Sequence, residues 1–239
     1  MTEVAGSKEA GRDLPLDSHL HTDLSPDSDV PIDVYAALAV EQGIAELAIT
    51  DHVDFDARDP AYDFTIGSVH DWPDSPYVPS RVRTWATGRP LDEVLAPYVA
   101  EIAAAAGSGL FDTIGHLDFV KRNLVPFIQP DQLTRAPELY EPVLRALIET
   151  GAALEMNTSG LRQQAQEPYP NAAVVALFRS MGGQRVTAGS DAHRADWLAW
   201  GLEEGYRILA DHGYEELLFR RGPGQGPVGV KIPDRFRRR

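Results

Sequence analysis

The chain has 239 residues, enough for one domain with a large buried core. Its formal net charge of −14 disfavours a broad interface with a long nucleic acid, which would need a basic face. It contains no cysteine, so disulfides and thiolate metal sites are excluded, and any metal must be held by imidazole and carboxylate groups.

Residues 1–13 read as a disordered leader, and the polar start lacks the apolar stretch of a secretory signal. No apolar run is long enough to span a membrane, so a cytoplasmic protein without a membrane partner is expected. Residues 14–18 form a short first strand entering His19, followed by a loop over 22–30 rich in Asp, Ser and Pro. Pro31 opens a helix running to about Gln42, and Gly43 stops it. An apolar run over 44–50 is a strand ending at Asp51 and His52. Residues 54–62 read as a loop, 64–67 as a strand delivering Ser68 and His70, and 71–90 as a long proline-rich irregular insertion. A helix over 91–106 precedes a strand at 112–115, which ends at His116.

Beyond it, 138–150 is helical with Gly151 after it, 153–157 is a strand, and 172–181 is a helix stopped by Gly182 and Gly183. Residues 185–189 form a strand ending near Asp191, and a last helix covers about 203–212. A Gly/Pro-rich turn over 223–227 leads to an edge strand at 229–232, and the arginine-rich end reads as solvated. Strand and helix alternate almost throughout, which implies an α/β fold on a parallel sheet. The polar residues sit at the strands' C-terminal ends, where (β/α) barrels build their sites. A single distorted barrel domain over 14–239 is expected.

Six of the seven histidines fall in such strand-ending positions. They occur in His19-Leu20-His21, Thr50-Asp51-His52, Gly67-Ser68-Val69-His70, Gly115-His116-Leu117-Asp118 and Gly189-Ser190-Asp191-Ala192-His193. In an extended segment residues i and i+2 point the same way, so His19 and His21 can reach one cation. Each motif alone is weak evidence; together they point to one metal site assembled from several strands. His212, beside Gly213, reads instead as a helix-terminal capping residue.

The order of these motifs, with Asn157-Thr158-Ser159-Gly160-Leu161-Arg162, resembles the PHP superfamily of metal-dependent phosphoesterases. Gly-Ser-Val-His, Gly-His-Leu-Asp and the Asn157–Arg162 segment resemble its histidinol-phosphatase branch. The resemblance implies a (β/α)₇-type barrel with up to three divalent ions, zinc, manganese or iron. It implies that His19, His21 and Asp191 hold one ion, His70 and His116 a second, and Asp27, His52 and His193 a third. It implies that Arg162 grips the phosphate of a small phosphorylated substrate, with Lys121 and Arg122 as further positive charge. Glu155, at the end of its strand, could orient a ligand histidine.

One departure stands out. The family carries a bridging glutamate between the Thr-Asp-His and Gly-Ser-Val-His motifs, and residues 53–68 of this chain contain no glutamate. A βα unit is therefore expected to be missing, and fewer ions to be bound. Asp54, Asp56 and Asp59 are the available substitutes, but ordinary loop solvation accounts for them better. The leading expectation is metal-dependent hydrolysis of L-histidinol phosphate, as in histidine biosynthesis. Alternatives are a PHP phosphoesterase for nucleotides or other small phosphoesters, an amidohydrolase-type barrel, and a degenerate metal-binding homologue.

Overall fold

A computed structural model describes residues 13–52, 62–70, 72, 74–129, 132–133, 135–222 and 224–237. The expected leader, apart from Asp13, and the aspartates at 54, 56 and 59 lie outside these residues. The fold begins with β1 (Leu14–Leu20), which runs two residues further than its apolar pattern suggests and so carries His19 within the strand. Helix α1 (Ile32–Gln42) comes next, and Gly43 ends it in the left-handed region at φ 69° while its N–H bonds the carbonyls of Ala39 and Val40. The chain then returns as β2 (Ile44–Ile49), parallel to β1.

Four further strands make a second parallel sheet in the order β3 (Ile66–Gly67), β4 (Thr113–Ile114), β5 (Ala153–Asn157) and β6 (Val186–Gly189). Every residue of β5 and β6 is buried, as expected for parallel strands covered on both faces. The two sheets meet at β1 and β6. A parallel bridge joins Leu20 to Ala192, and the N–H groups of Asp191 and His21 donate to the carbonyls of His19 and Ala192 at 2.9 and 3.0 Å. The result is a mixed α/β fold in which strands run β2-β1-β6-β5-β4-β3. Among the described residues no pairing closes β2 onto β3, so the strands form an open arc.

Outside the arc, α3 (Leu91–Gly107) and α5 (Glu141–Thr150) pack together, burying Leu95, Tyr98, Ile102, Val143, Leu144 and Leu147. A 3₁₀ turn, Pro137–Tyr140, precedes α5; Pro142 sits in the helix's first turn, where it lacks no needed donor. The stretch expected to be irregular at 71–90 contains a short helix, α2 (Val82–Ala86), and Lys121–Leu124 forms another, α4. Both are single turns fixed by packing, too short to show a helical period. Helices α6 (Ala172–Ser180) and α7 (Leu202–Asp211) lie where expected. Asn171 caps α6 by accepting from the N–H groups of Ala173 and Val174.

The expected edge strand is β8 (Val228–Lys231), and it pairs antiparallel with a strand the pattern does not reveal, β7 (Glu216–Phe219). The end of β7 and the two arginines after it tie the open side of the arc together, at the end remote from the histidines. Phe219 packs on Phe64 with ring centroids 5.7 Å apart. Arg220 pairs with Asp112, and Arg221 donates to both carboxylate oxygens of Glu46 on β2 at 2.6 and 2.8 Å. Asp112 also accepts from the backbone N–H and the hydroxyl of Thr65, both at 3.0 Å. Replacing Asp112 with Ala would leave these partners unpaired and is expected to lower the unfolding free energy by about 1–3 kcal/mol. Urea denaturation measures this, and an unchanged midpoint would show that the clasp contributes nothing.

Candidate metal centre

The strand ends converge. His19 and His21 lie on the same side of β1's end, with their Nε2 atoms 3.0 Å apart and both side chains buried. Asp191, just past β6, places Oδ1 at 3.4 Å from His21 Nε2 and 3.6 Å from His19 Nε2. Asp27, in the loop after β1, places Oδ2 at 3.3 Å from His52 Nε2 and 3.1 Å from His193 Nε2. Two groups emerge whose ligand atoms all lie within 4.8 Å of one another: His19, His21 and Asp191, and His21, Asp27, His52 and His193. His70 and His116 adjoin them. Their rings are 4.8 Å apart, with His70 5.5 Å from His52 and His116 5.9 Å from His19. All eight residues expected from the sequence thus fall in one cluster at the C-terminal ends of the strands. The buried Nδ1 of His116 has no hydrogen-bond partner among the described residues, and a buried ring nitrogen of that kind is suited to a ligand.

Buried carboxylates behind the cluster fix its geometry. Glu155, wholly buried on β5, accepts from His19 Nδ1 at 2.6 Å, from the His116 N–H at 2.7 Å and from Asn157 Nδ2 at 3.1 Å. Its bond to Nδ1 leaves His19 Nε2 free to face Asp191. Asp17 accepts from the N–H and hydroxyl of Ser190 at 2.8 and 2.6 Å and from the N–H of Ala199 at 3.1 Å, and so holds the turn carrying Asp191. Burial outweighs these bonds and pushes Asp17 up to about 6. Asp191 itself sits at φ 55° and His116 at φ 23°, conformations costly for residues with a Cβ and held here by the surrounding bonds. Asp51 is a clamp, accepting from the Thr22 N–H and hydroxyl and from the Ser25 hydroxyl, while Ser25 Oγ accepts the His52 N–H at 3.0 Å.

Sequence reasoning left Asp17 and Ser25 unassigned. Their partners lie far along the chain or at irregular spacing, so no local pattern marks them. His212 is the C-cap of α7 and its Nδ1 donates to the Ile208 carbonyl at 2.7 Å, the role its place near Gly213 suggests.

The charge state suits a cation. Burial pushes His21 down to about 4 and His116 to about 3, keeping both imidazoles neutral. Burial alone would lower His19 too, but the carboxylates of Glu155 and Asp191 outweigh it and raise it to about 9. Burial would raise Asp191, but the histidines around it, His19 first, hold it well below the usual carboxylate range. Neutral His21 and His116 beside the ionised Asp191 are in the states that metal binding requires, whereas His19 releases its proton when an ion binds.

The two cations expected to meet substrate are differently placed. Arg162, on the 3₁₀ turn after β5, donates through Nη1 to the Ser190 carbonyl at 2.7 Å and through Nη2 to the Asp191 carbonyl at 2.6 Å. Its guanidinium lies 4.6 Å from the Trp197 ring centroid. It therefore braces the Asp191 turn with two of its five N–H groups. Lys121 is buried, its ammonium 2.7 Å from Asp118 Oδ2 and 2.6 Å from Glu167 Oε1. Arg122 lies over Phe119, which in turn packs on the His116 ring with centroids 4.5 Å apart.

The chain is similar to known proteins in sequence and in fold. The family model described as the PHP domain matches residues 17–59. The chain is similar to the histidinol-phosphatase branch of the PHP superfamily. A Thermotoga maritima protein named "Probable histidinol-phosphatase" is 27% identical over 240 residues, covering 91% of this chain and 99% of that relative. A Deinococcus radiodurans protein of the same name is 32% identical over 163 residues, covering 66% of this chain and 58% of the relative. The crystal structure of histidinol phosphate phosphatase from Lactococcus lactis, complexed with zinc, L-histidinol and phosphate, matches with a TM-score of 0.68 at 19% identity. That match covers 92% of this chain and 99% of the L. lactis chain, and it shows a shared fold. The PHP resemblance read from the motifs is thus supported.

The histidine–carboxylate arrangement has a consequence for metal-free protein. His19 is raised above its ordinary value of 6.5 to about 9. Its stabilising contribution is therefore complete below about pH 6.5 and is lost as pH rises to about 9. The melting temperature of chelator-treated protein is expected to fall across that window, and Glu155→Gln to flatten the fall. Identical slopes in both proteins would contradict the assignment.

Proposed function

We propose that this chain is a cytoplasmic metal-dependent phosphoric monoester hydrolase that converts L-histidinol phosphate to L-histidinol and phosphate. The observation that carries the reading is the convergence of His19, His21 and Asp191 with Asp27, His52 and His193 at one end of a parallel α/β fold. The names of its relatives and the ligands in the L. lactis crystal point to the substrate. The open arc is proposed to be a distorted (β/α)₇-type barrel lacking one βα unit between β2 and β3. No described helix is long and apolar enough to cross a membrane.

The donor set fits a cation such as zinc, because imidazole nitrogens and carboxylate oxygens are its usual ligands in a chain without cysteine. Manganese and iron(II) share that ligand chemistry. His19, His21, Asp27, His52, His70, His116, Asp191 and His193 are the proposed ligands. When bound, the ions neutralise phosphate charge and lower the pKa of a water to make it nucleophilic. The remaining work belongs to this chain. Glu155 sets the His19 tautomer and pins the backbone at His116. Asp17 and Arg162 hold the Asp191 turn through separate groups, Asp17 through the Ser190 N–H and hydroxyl and Arg162 through two carbonyls. Arg162 is proposed to turn its unused N–H groups to the phosphate. Lys121 is proposed to serve substrate binding from within its pair with Glu167, whose carboxylate remains partly exposed.

Zinc-loaded protein is expected to release phosphate from L-histidinol phosphate faster than from a generic aryl phosphate, and chelation to abolish release. Absence of turnover with either ester would refute the reading. Arg162→Lys replaces a planar fork with a point charge and is expected to raise KM for the phosphate ester about tenfold, a loss of about 1.4 kcal/mol, with zinc content unchanged. An unaltered KM would remove Arg162 from the substrate site.

A further inference from the structure

The positions that would hold ions are not equivalent. Zinc sites that do chemistry keep about three protein ligands and an open place for water. His19, His21 and Asp191 meet that standard, and so do Asp27, His52 and His193; each trio pairs two imidazoles with one carboxylate. His70 and His116 do not. They offer two imidazoles, and among the described residues no carboxylate completes a group with them.

Among the described residues, the nearby buried carboxylates already face other partners. Glu155 is occupied by His19 Nδ1, the His116 N–H and Asn157. Asp118, in the same Gly-His-Leu-Asp turn as His116, faces the Lys121 ammonium at 2.7 Å. The sequence supplies no glutamate between His52 and Gly67. The two imidazoles also differ in exposure: His116 is buried and His70 is exposed, so an ion between them would be open to exchange on one side.

Resting on the reading of this cluster as a metal centre, we propose that the chain retains two divalent ions, on His19/His21/Asp191 and on Asp27/His52/His193. The His70/His116 position then binds an ion weakly and exchangeably. The physical reason is charge. Among the described residues, a dication leaving water for these two neutral ligands gains neither the electrostatic attraction of a carboxylate nor a third fixed ligand.

The test is a metal count on the full chain. The protein is stripped with chelator, reloaded with excess zinc, passed through a desalting column, and measured by elemental analysis against protein concentration. About two zinc ions per chain are expected, and His70→Ala, at an exposed position, is expected to retain about two. Asp27→Asn and Asp191→Asn are each expected to retain about one, with circular dichroism confirming that they fold. Retention of three ions by the unaltered chain, or loss of an ion from His70→Ala, would overturn the proposal. Phosphate release measured on the same samples separates the two readings. Two ions without turnover of histidinol phosphate sinks the phosphatase function and leaves the count standing. Three ions with turnover does the reverse.

Discussion

The arrangement of the site depends on one buried carboxylate. Glu155 sits at full burial on the central strand β5 and reaches two other strand ends at once, the His19 ring on β1 beyond β6 and the backbone at His116 after the neighbouring β4. A buried carboxylate is costly unless its lone pairs are matched, and here three donors match them. The same bonds orient the imidazole that faces Asp191. Stability and metal geometry therefore share a single set of contacts, and a change at Glu155 would disturb both.

The neighbouring devices obey the same logic. Asp17 beneath the Ser190 turn and Asp51 beneath the Thr22–Ser25 loop are acceptors for backbone N–H groups that irregular segments would otherwise leave unpaired. Asp17 and Glu155 allow Asp191 and His116 to hold positive φ angles at the cluster's edge. At the opposite end, Arg220 and Arg221 span from β2 to the start of β4. The open arc is thus held from below by the C-terminal segment and organised from above by carboxylates.

Much of this was legible in the chain itself. The helical spacing of α3, Pro31 and Gly43 around α1, the glycines after α6, and the apolar run of β2 are local signals, and the elements formed where those signals lie. The eight candidate ligands were legible because most sit at strand ends, and a parallel sheet brings such ends together. The features that escaped depend on long-range partners. Strand β7 has no alternating pattern of its own and exists through its pairing with β8. Arg162 reads as a free phosphate grip in its motif, yet its guanidinium spans two carbonyls 28 and 29 residues away. Lys121 reads as further positive charge for the phosphate and is buried between Asp118 and Glu167. Arginine and lysine declare their charge in sequence, not the partner that takes it.

The claim on which the rest turns is that the histidine cluster is a metal centre. Anomalous scattering from crystals of the zinc-loaded protein, recorded on both sides of the zinc edge, addresses it directly. The account requires zinc peaks about 2.0–2.2 Å from the imidazole nitrogens and carboxylate oxygens of His19, His21 and Asp191 and of Asp27, His52 and His193. A fully loaded protein whose zinc lies away from these side chains, or a cluster with no anomalous density, would contradict it.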